Sequence, residues 1–294
     1  MRRWVGWTVL AVVAWGLWAI VGKVLGDSLS AGHSQALSTL GLLPVMLWLA
    51  RSAKPPPGRK ARGGVIFAFG AGIVTCLGNA AYYDLFNRGA KAATVIPLTA
   101  LYPLVTILLA IPLLKEKLNG SQIFGVILSV AAIYLFNVPG GGGLFSSSLA
   151  YVFAPIVLWG ASGFMQKVST RDLSGPTATF WFLAAFVLVG LVILLREPLP
   201  ARIPSKIWVA VIALGFFLAL GNAALLAAFA NDGQASVIAP LAGLYPVVSV
   251  PLAIFLLGDK IAPREGVAIV LAIVAAAALA RETEPAAPAP ETNL

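Results

Sequence analysis

The second half of this chain repeats the first at a fixed offset. Gly78-Asn79-Ala80-Ala81 returns as Gly221-Asn222-Ala223-Ala224, Pro97-Leu98 as Pro240-Leu241, Leu101-Tyr102-Pro103 as Leu244-Tyr245-Pro246, and Lys117 as Lys260. One residue out of that register, Trp15-Gly16 matches Trp159-Gly160, Lys23-Val24 matches Lys167-Val168, and Leu29-Ser30 matches Leu173-Ser174. The repeated words sit in almost wholly apolar sequence. Of 294 residues, 60% are hydrophobic and 11% charged, whereas soluble domains carry about a quarter charged residues. That composition implies a polytopic membrane protein, and a duplicated membrane domain is a build that secondary transporters use.

About twenty consecutive apolar residues cross the bilayer core as a helix. Apolar runs between charged or Pro/Gly breaks predict ten spans, at 4–25, 32–51, 64–88, 92–114, 119–137, 148–170, 175–196, 206–230, 235–257 and 263–281. The runs are continuously apolar and do not alternate with period two, which favours helices over a barrel. Five spans per copy is an odd number, so the second copy lies inverted relative to the first. The expected fold class is all-α polytopic, with ten transmembrane helices as two inverted five-helix repeats. Residues 1–138 form the first repeat, 139–147 a Gly-rich connector, 148–281 the second repeat, and 282–294 a Pro/Ala-rich acidic tail expected to be disordered. The first span is too long, and too well matched to the sixth, for a cleaved signal peptide.

The net charge of +9 comes from Lys and Arg in short loops. That pattern sets topology and attracts anionic lipid, and no nucleic-acid-binding module accompanies it. With both termini inside, twelve of these residues fall on the cytoplasmic side and eight opposite, and the first repeat alone divides nine to three. Early positive charge usually dominates, so both termini are expected in the cytoplasm. Other chemistry finds no residues. A single Cys76 excludes a disulfide framework and a thiolate metal site, no His/Cys/carboxylate cluster supports a metal, and no Ser-His-Asp geometry is arguable around the one His33. No phosphate-cradling loop with Lys-Ser/Thr is present, so ATP does not drive this chain. The expectation is a non-enzyme with no cofactor.

Polar and aromatic residues near span centres are the candidate binding groups. Trp15, Asn79, Tyr102, Trp159, Asn222 and Tyr245 all belong to repeated words, and in inverted repeats such positions converge on one midplane site. A buried amide must find partners, so Asn79 and Asn222 bond either a neighbouring helix or a ligand. Asn79, Tyr82, Tyr83 and Phe86 share one helix face; their counterparts are Asn222, Leu225, Leu226 and Phe229, so only the first copy offers phenols there. Trp18 and Trp181 add aromatic surface. Pro103 and Pro246 free the carbonyls of Thr99 and Ala242 and are expected to act as hinges. Three charged residues are possible ion or substrate partners. Asp84 either pairs with Arg88 four residues on or meets a substrate ammonium or proton. Lys23 and Lys167 either snorkel to the interfaces or anchor a carboxylate. With one intramembrane acid candidate, facilitated export is favoured over strict proton coupling.

Two five-helix halves, each with an early Trp-Gly, a Leu-Tyr-Pro stretch, and a closing Leu113-Leu114-Lys115-Glu116-Lys117 or Leu256-Leu257-Gly258-Asp259-Lys260, resemble the ten-helix EamA branch of the drug/metabolite transporter superfamily. Within it the chain is similar to YddG-type amino-acid exporters. The resemblance implies an inverted-repeat bundle exporting small metabolites by alternating access across a bacterial inner membrane. The first-helix Glu of the four-helix multidrug relatives has no counterpart in span one, so their proton-coupled mechanism is not implied. The expected function is non-ATP export of small neutral, aromatic or apolar amino acids. The alternatives are export of other small metabolites or drugs, and a non-transporting, lipid-handling membrane protein.

Overall fold

The computed structural model describes residues 3–26, 28–53, 58–115, 118–137, 147–231, 235–279 and 281. The expected acidic tail, and the expected connector up to residue 146, lie outside the described residues. The described residues form thirteen α-helices: α1 (Arg3–Gly26), α2 (Ala31–Leu37), α3 (Thr39–Ala50), α4 (Gly58–Asn87), α5 (Ala92–Thr99), α6 (Pro103–Leu114), α7 (Gly120–Asn137), α8 (Ser147–Ser169), α9 (Gly175–Arg196), α10 (Ser205–Ala230), α11 (Ala235–Ala242), α12 (Pro246–Leu257) and α13 (Pro263–Leu279). Six stretches are long and apolar enough to cross a membrane: Arg3–Gly26, Ala61–Asn87, Ala92–Leu114, Gly175–Arg196, Ser205–Ala230 and Val237–Leu257. Apolar side chains face outward, Leu195 and Phe255 with more than four-fifths of their surface uncovered. Water would penalise that surface, and lipid does not.

Three expected spans are each divided in two. At Tyr102-Pro103 the expectation was a bend, but α5 stops at Thr99 and α6 starts at Pro103. Proline suits the first position of a helix because its missing N–H needs no partner there. The carbonyl it frees is taken locally: Tyr102 N–H donates to Thr99 O at 3.1 Å, and Tyr245 N–H to Ala242 O at 3.4 Å in the second copy. The break at Ser38 in the expected 32–51 span carries no proline; there Ser38 Oγ donates to Gln35 O at 2.8 Å and Thr39 Oγ1 to Ala36 O at 2.7 Å, local bonds that bend helices, and another helix packs close by. A Cβ on Gly215 of α10 would run into the Ser38 carbonyl, and one on Gly41 into the Ile212 carbonyl. Backbones this close leave no room for a side chain at the crossing. At its other end, α2 is capped by Ser30, whose Oγ accepts from His33 N–H at 3.0 Å.

The helices pack in pairs that exchange roles between the copies. α1 lies along α10 as α8 lies along α4; α1 meets α12 as α8 meets α6; α5 meets α12 as α11 meets α6. α3 packs on its own counterpart α9, and α7 on its counterpart α13. This is the pattern of a two-fold axis between the repeats.

Candidate functional site

Between the two repeats lies a partly open cavity of about 50 Å³, lined from α1, α4, α8 and α10 and from the breaks at Tyr102 and Tyr245. Among its walls are Trp15, Asn79, Tyr102, Trp159, Asn222 and Tyr245. The cavity holds a few waters at most.

Each tryptophan seats on the glycine of the opposite copy. A Cβ on Gly78 would stand 2.6 Å from Nε1 of Trp159, and one on Gly221 would strike the Trp15 ring. The Trp-Gly and Gly-Asn words are thus two halves of one contact. The rings meet the tyrosines edge-on: Trp15 to Tyr102 and to Tyr245 at 6.4 Å each, and Trp159 to Tyr102 at 6.4 Å. The tyrosine hydroxyls reach across the axis. Tyr102 OH donates to Ala239 O at 3.4 Å and Tyr245 OH to Ile96 O at 3.3 Å. Each broken span is held by the other.

The two amides differ. Trp159 Nε1 donates to Asn79 Oδ1 at 3.0 Å, whereas Asn222 Nδ2 donates to Leu218 O of its own helix at 2.9 Å. Tyr82 and Tyr83 are fully buried but do not line the cavity. Trp18 stands between them and it, stacked on Tyr82 at 5.1 Å and donating through Nε1 to Tyr83 OH at 3.0 Å. The other candidates lie farther out. Lys23 sits over the Phe86 ring at 5.8 Å and Lys167 over the Phe229 ring at 5.9 Å, a pair of repeat-related contacts. Asp84 accepts from Arg88 Nε at 2.6 Å. Trp181 packs against Phe180.

Thr75, Ser162, Gly163, Gln166, Leu218 and Leu225 complete the wall; of these, sequence reading had only Leu225, as the aliphatic counterpart of Tyr82. A signal existed: Thr75 and Asn79 on α4, and Ser162 and Gln166 on α8, are polar pairs four apart in apolar helices. The repeat partners of Thr75, Ser162 and Gln166 are Leu218, Trp18 and Gly22, so a search for repeated words passes over these three.

Beyond the cavity, the ends of the bundle differ. Arg88 lies over the Tyr151 ring at 4.3 Å. The repeat counterparts of Asp84, Arg88 and Tyr151 are Ala227, Asn231 and Trp7. Those residues line a lateral groove of about 530 Å³ among α1, α3, α9 and α10. On the face that carries Arg88, Ser30 Oγ donates to Glu197 Oε1 at 2.6 Å, and Asn87 Nδ2 donates to Gly26 O and Leu29 O at 2.7 and 2.8 Å. Replacing Asp84 by Asn is expected to leave the melting temperature within about 2 °C of wild type, because solvent screens an exposed i,i+4 pair. A transport loss with the protein still folded would instead place Asp84 in the transport cycle.

Both copies of the helical unit match the same family, the EamA-like transporter family, over residues 2–138 and 146–281. The chain belongs to the EamA-like transporter family. As an EamA protein it is a multi-pass membrane protein of the drug/metabolite transporter type, built for small molecules in a lipid surrounding. A solved crystal structure aligns with 93% of this EamA chain and 96% of its own length, with a TM-score of 0.65 at 20% identity, a likeness of fold. An uncharacterized protein of Methanocaldococcus jannaschii is 31% identical over 72 residues, which are 24% of this chain and 52% of that relative. The matched stretch thus spans about half of the relative's length.

Proposed function

We propose that this EamA protein is a ten-helix secondary exporter of small neutral amino acids with aromatic or apolar side chains. It works by alternating access in a bacterial inner membrane, with both termini in the cytoplasm. Ten spans follow if the pairs α2–α3, α5–α6 and α11–α12 each cross once. The observation that carries the reading is the uncharged cavity at the seam of the repeats, walled by Trp15, Trp18, Trp159, Tyr102 and Tyr245 and supplied with buried amides. Aromatic walls hold flat or apolar side chains, and amides meet an ammonium and a carboxylate without a net charge to bury. An organic phosphate would call for Lys or Arg at this wall.

The cavity is smaller than an amino acid, so loading needs the aromatic walls to part. Pro103 and Pro246 are the hinges, since the helix ladder is already interrupted there. Counterflow of labelled tryptophan, phenylalanine and threonine into proteoliposomes, with and without a pH gradient, tests the proposal. Saturable aromatic uptake that ignores the gradient is expected. Uptake of none of the three by intact protein overturns the substrate reading. The lateral groove favours a second reading, lipid handling, which requires a cavity open sideways to the bilayer. Scrambling of a fluorescent phospholipid in the same liposomes would then replace amino-acid uptake.

A further inference from the structure

Among the described residues, two cavity-lining side chains carry a buried polar atom with no hydrogen-bond partner: Asn79 through Nδ2 and Gln166 through Oε1. Both side chains are more than nine-tenths buried, at 1% and 4% exposure. Leaving such groups unpaired is costly, which marks them as ligand-directed.

Their polarity follows from their neighbours. Indole N–H only donates, so the Asn79 atom that faces Trp159 Nε1 at 3.0 Å is the carbonyl oxygen, and its NH₂ is left for the cavity. Ser162 has one hydroxyl proton, and it goes to Ala71 O at 3.0 Å. Ser162 Oγ therefore accepts, from Thr75 Oγ1 at 2.6 Å and from Gln166 Nε2 at 3.2 Å. That sets the Gln166 amide with its nitrogen toward Ser162 and leaves its oxygen the unpaired atom on a residue of the cavity wall. Asn79 is a pure donor there and Gln166 a pure acceptor.

Their spacing follows from the helices. Thr75 pairs with Ser162 while Asn79, four residues on, pairs with Trp159, so α4 and α8 run antiparallel at this wall. Gln166 folds back to Ser162, which leaves its oxygen about one turn, roughly 6 Å, along the axis from the Asn79 amide. An α-amino acid spans that gap with one hydrogen bond at each end.

Resting on the amino-acid reading, we infer that Gln166 and Asn79 are the polarity determinants of the cavity: Gln166 Oε1 accepts from the substrate ammonium and Asn79 Nδ2 donates to its carboxylate. The counterpart of Gln166 is Gly22, so the site reads a substrate in one orientation despite the two-fold scaffold.

The test is ligand competition against labelled phenylalanine counterflow, using phenylalanine, phenethylamine (no carboxylate) and 3-phenylpropionate (no ammonium). Wild-type protein is expected to prefer phenylalanine over both truncated analogues by about tenfold to a hundredfold, the effect of one lost hydrogen bond to a charged group. Gln166→Leu is expected to abolish the preference over 3-phenylpropionate alone, and Asn79→Ala the preference over phenethylamine alone. Gln166→Glu, nearly isosteric and so a check on folding, is expected to raise the affinity for phenethylamine. If wild type transports phenylalanine and Gln166→Leu and Gln166→Glu both keep its discrimination, the inference is overturned and the amino-acid reading stands. If folded wild type transports no amino acid, both fall.

Discussion

Gly215→Ala is expected to yield little or no monodisperse protein. The added methyl would enter the Ser38 carbonyl and approach Gly41 Cα to 2.9 Å, and both obstacles are backbone. No rotamer change relieves the clash, so α10 must part from α3 or shift along it. Overpacking at a site that cannot relax costs about 3 kcal/mol or more, a large share of the stability of any membrane bundle. Gly63→Ala is the control, because nothing lies within 4 Å of its added methyl and alanine favours helix over glycine by about 0.5–1 kcal/mol. Melting of both variants in detergent checks the prediction. A Gly215→Ala protein that melts with the wild type would mean that α3 and α10 do not cross this closely.

Gly78→Ala and Gly221→Ala should behave differently: folded, but poor at transport. Here the obstacle is an indole ring, Trp159 or Trp15, and a ring beside a cavity can move into it. Displacing Trp159 also breaks its bond to Asn79 and lets that amide turn. Phenylalanine counterflow is expected to fall about tenfold or more, the equivalent of one lost hydrogen bond, while size-exclusion profiles stay unchanged. Unaltered counterflow in both variants would show that the indole positions are not coupled to passage.

The duplication was legible because matching words such as Gly78-Asn79 and Gly221-Asn222 survive letter for letter, and a shared word implies a shared position in each copy. The same logic gathered Trp15, Asn79, Tyr102, Trp159, Asn222 and Tyr245, which line one cavity. It could not show that Tyr82 and Tyr83 are screened by Trp18. Helical spacing assigns residues to a face but does not say which neighbour covers that face. Gln166 escaped for the opposite reason. Its counterpart is a glycine, and a search keyed to symmetry discards what only one copy has. The break at Ser38 was not foreseen because Ser and Thr occur inside unbroken helices too, and the close crossing with Gly215 depends on a residue far away in sequence.

The Arg88 side chain over Tyr151, set against an uncharged groove at its counterpart, has a consequence for the salt dependence of turnover. Among the described residues at this end, the Arg88 guanidinium that packs on Tyr151 of α8 stays largely in solvent, 53% exposed beside an Asp84 at 41%. Dissolved ions weaken attraction between exposed charges within a Debye length of about 8 Å at physiological strength and leave an apolar crevice nearly untouched. Added salt is therefore expected to act on the Arg88 contact more than on the apolar groove at its counterpart. Counterflow measured at low and high ionic strength is then expected to differ in wild type and to differ less in Arg88→Leu, which keeps the packing on Tyr151 without the charge.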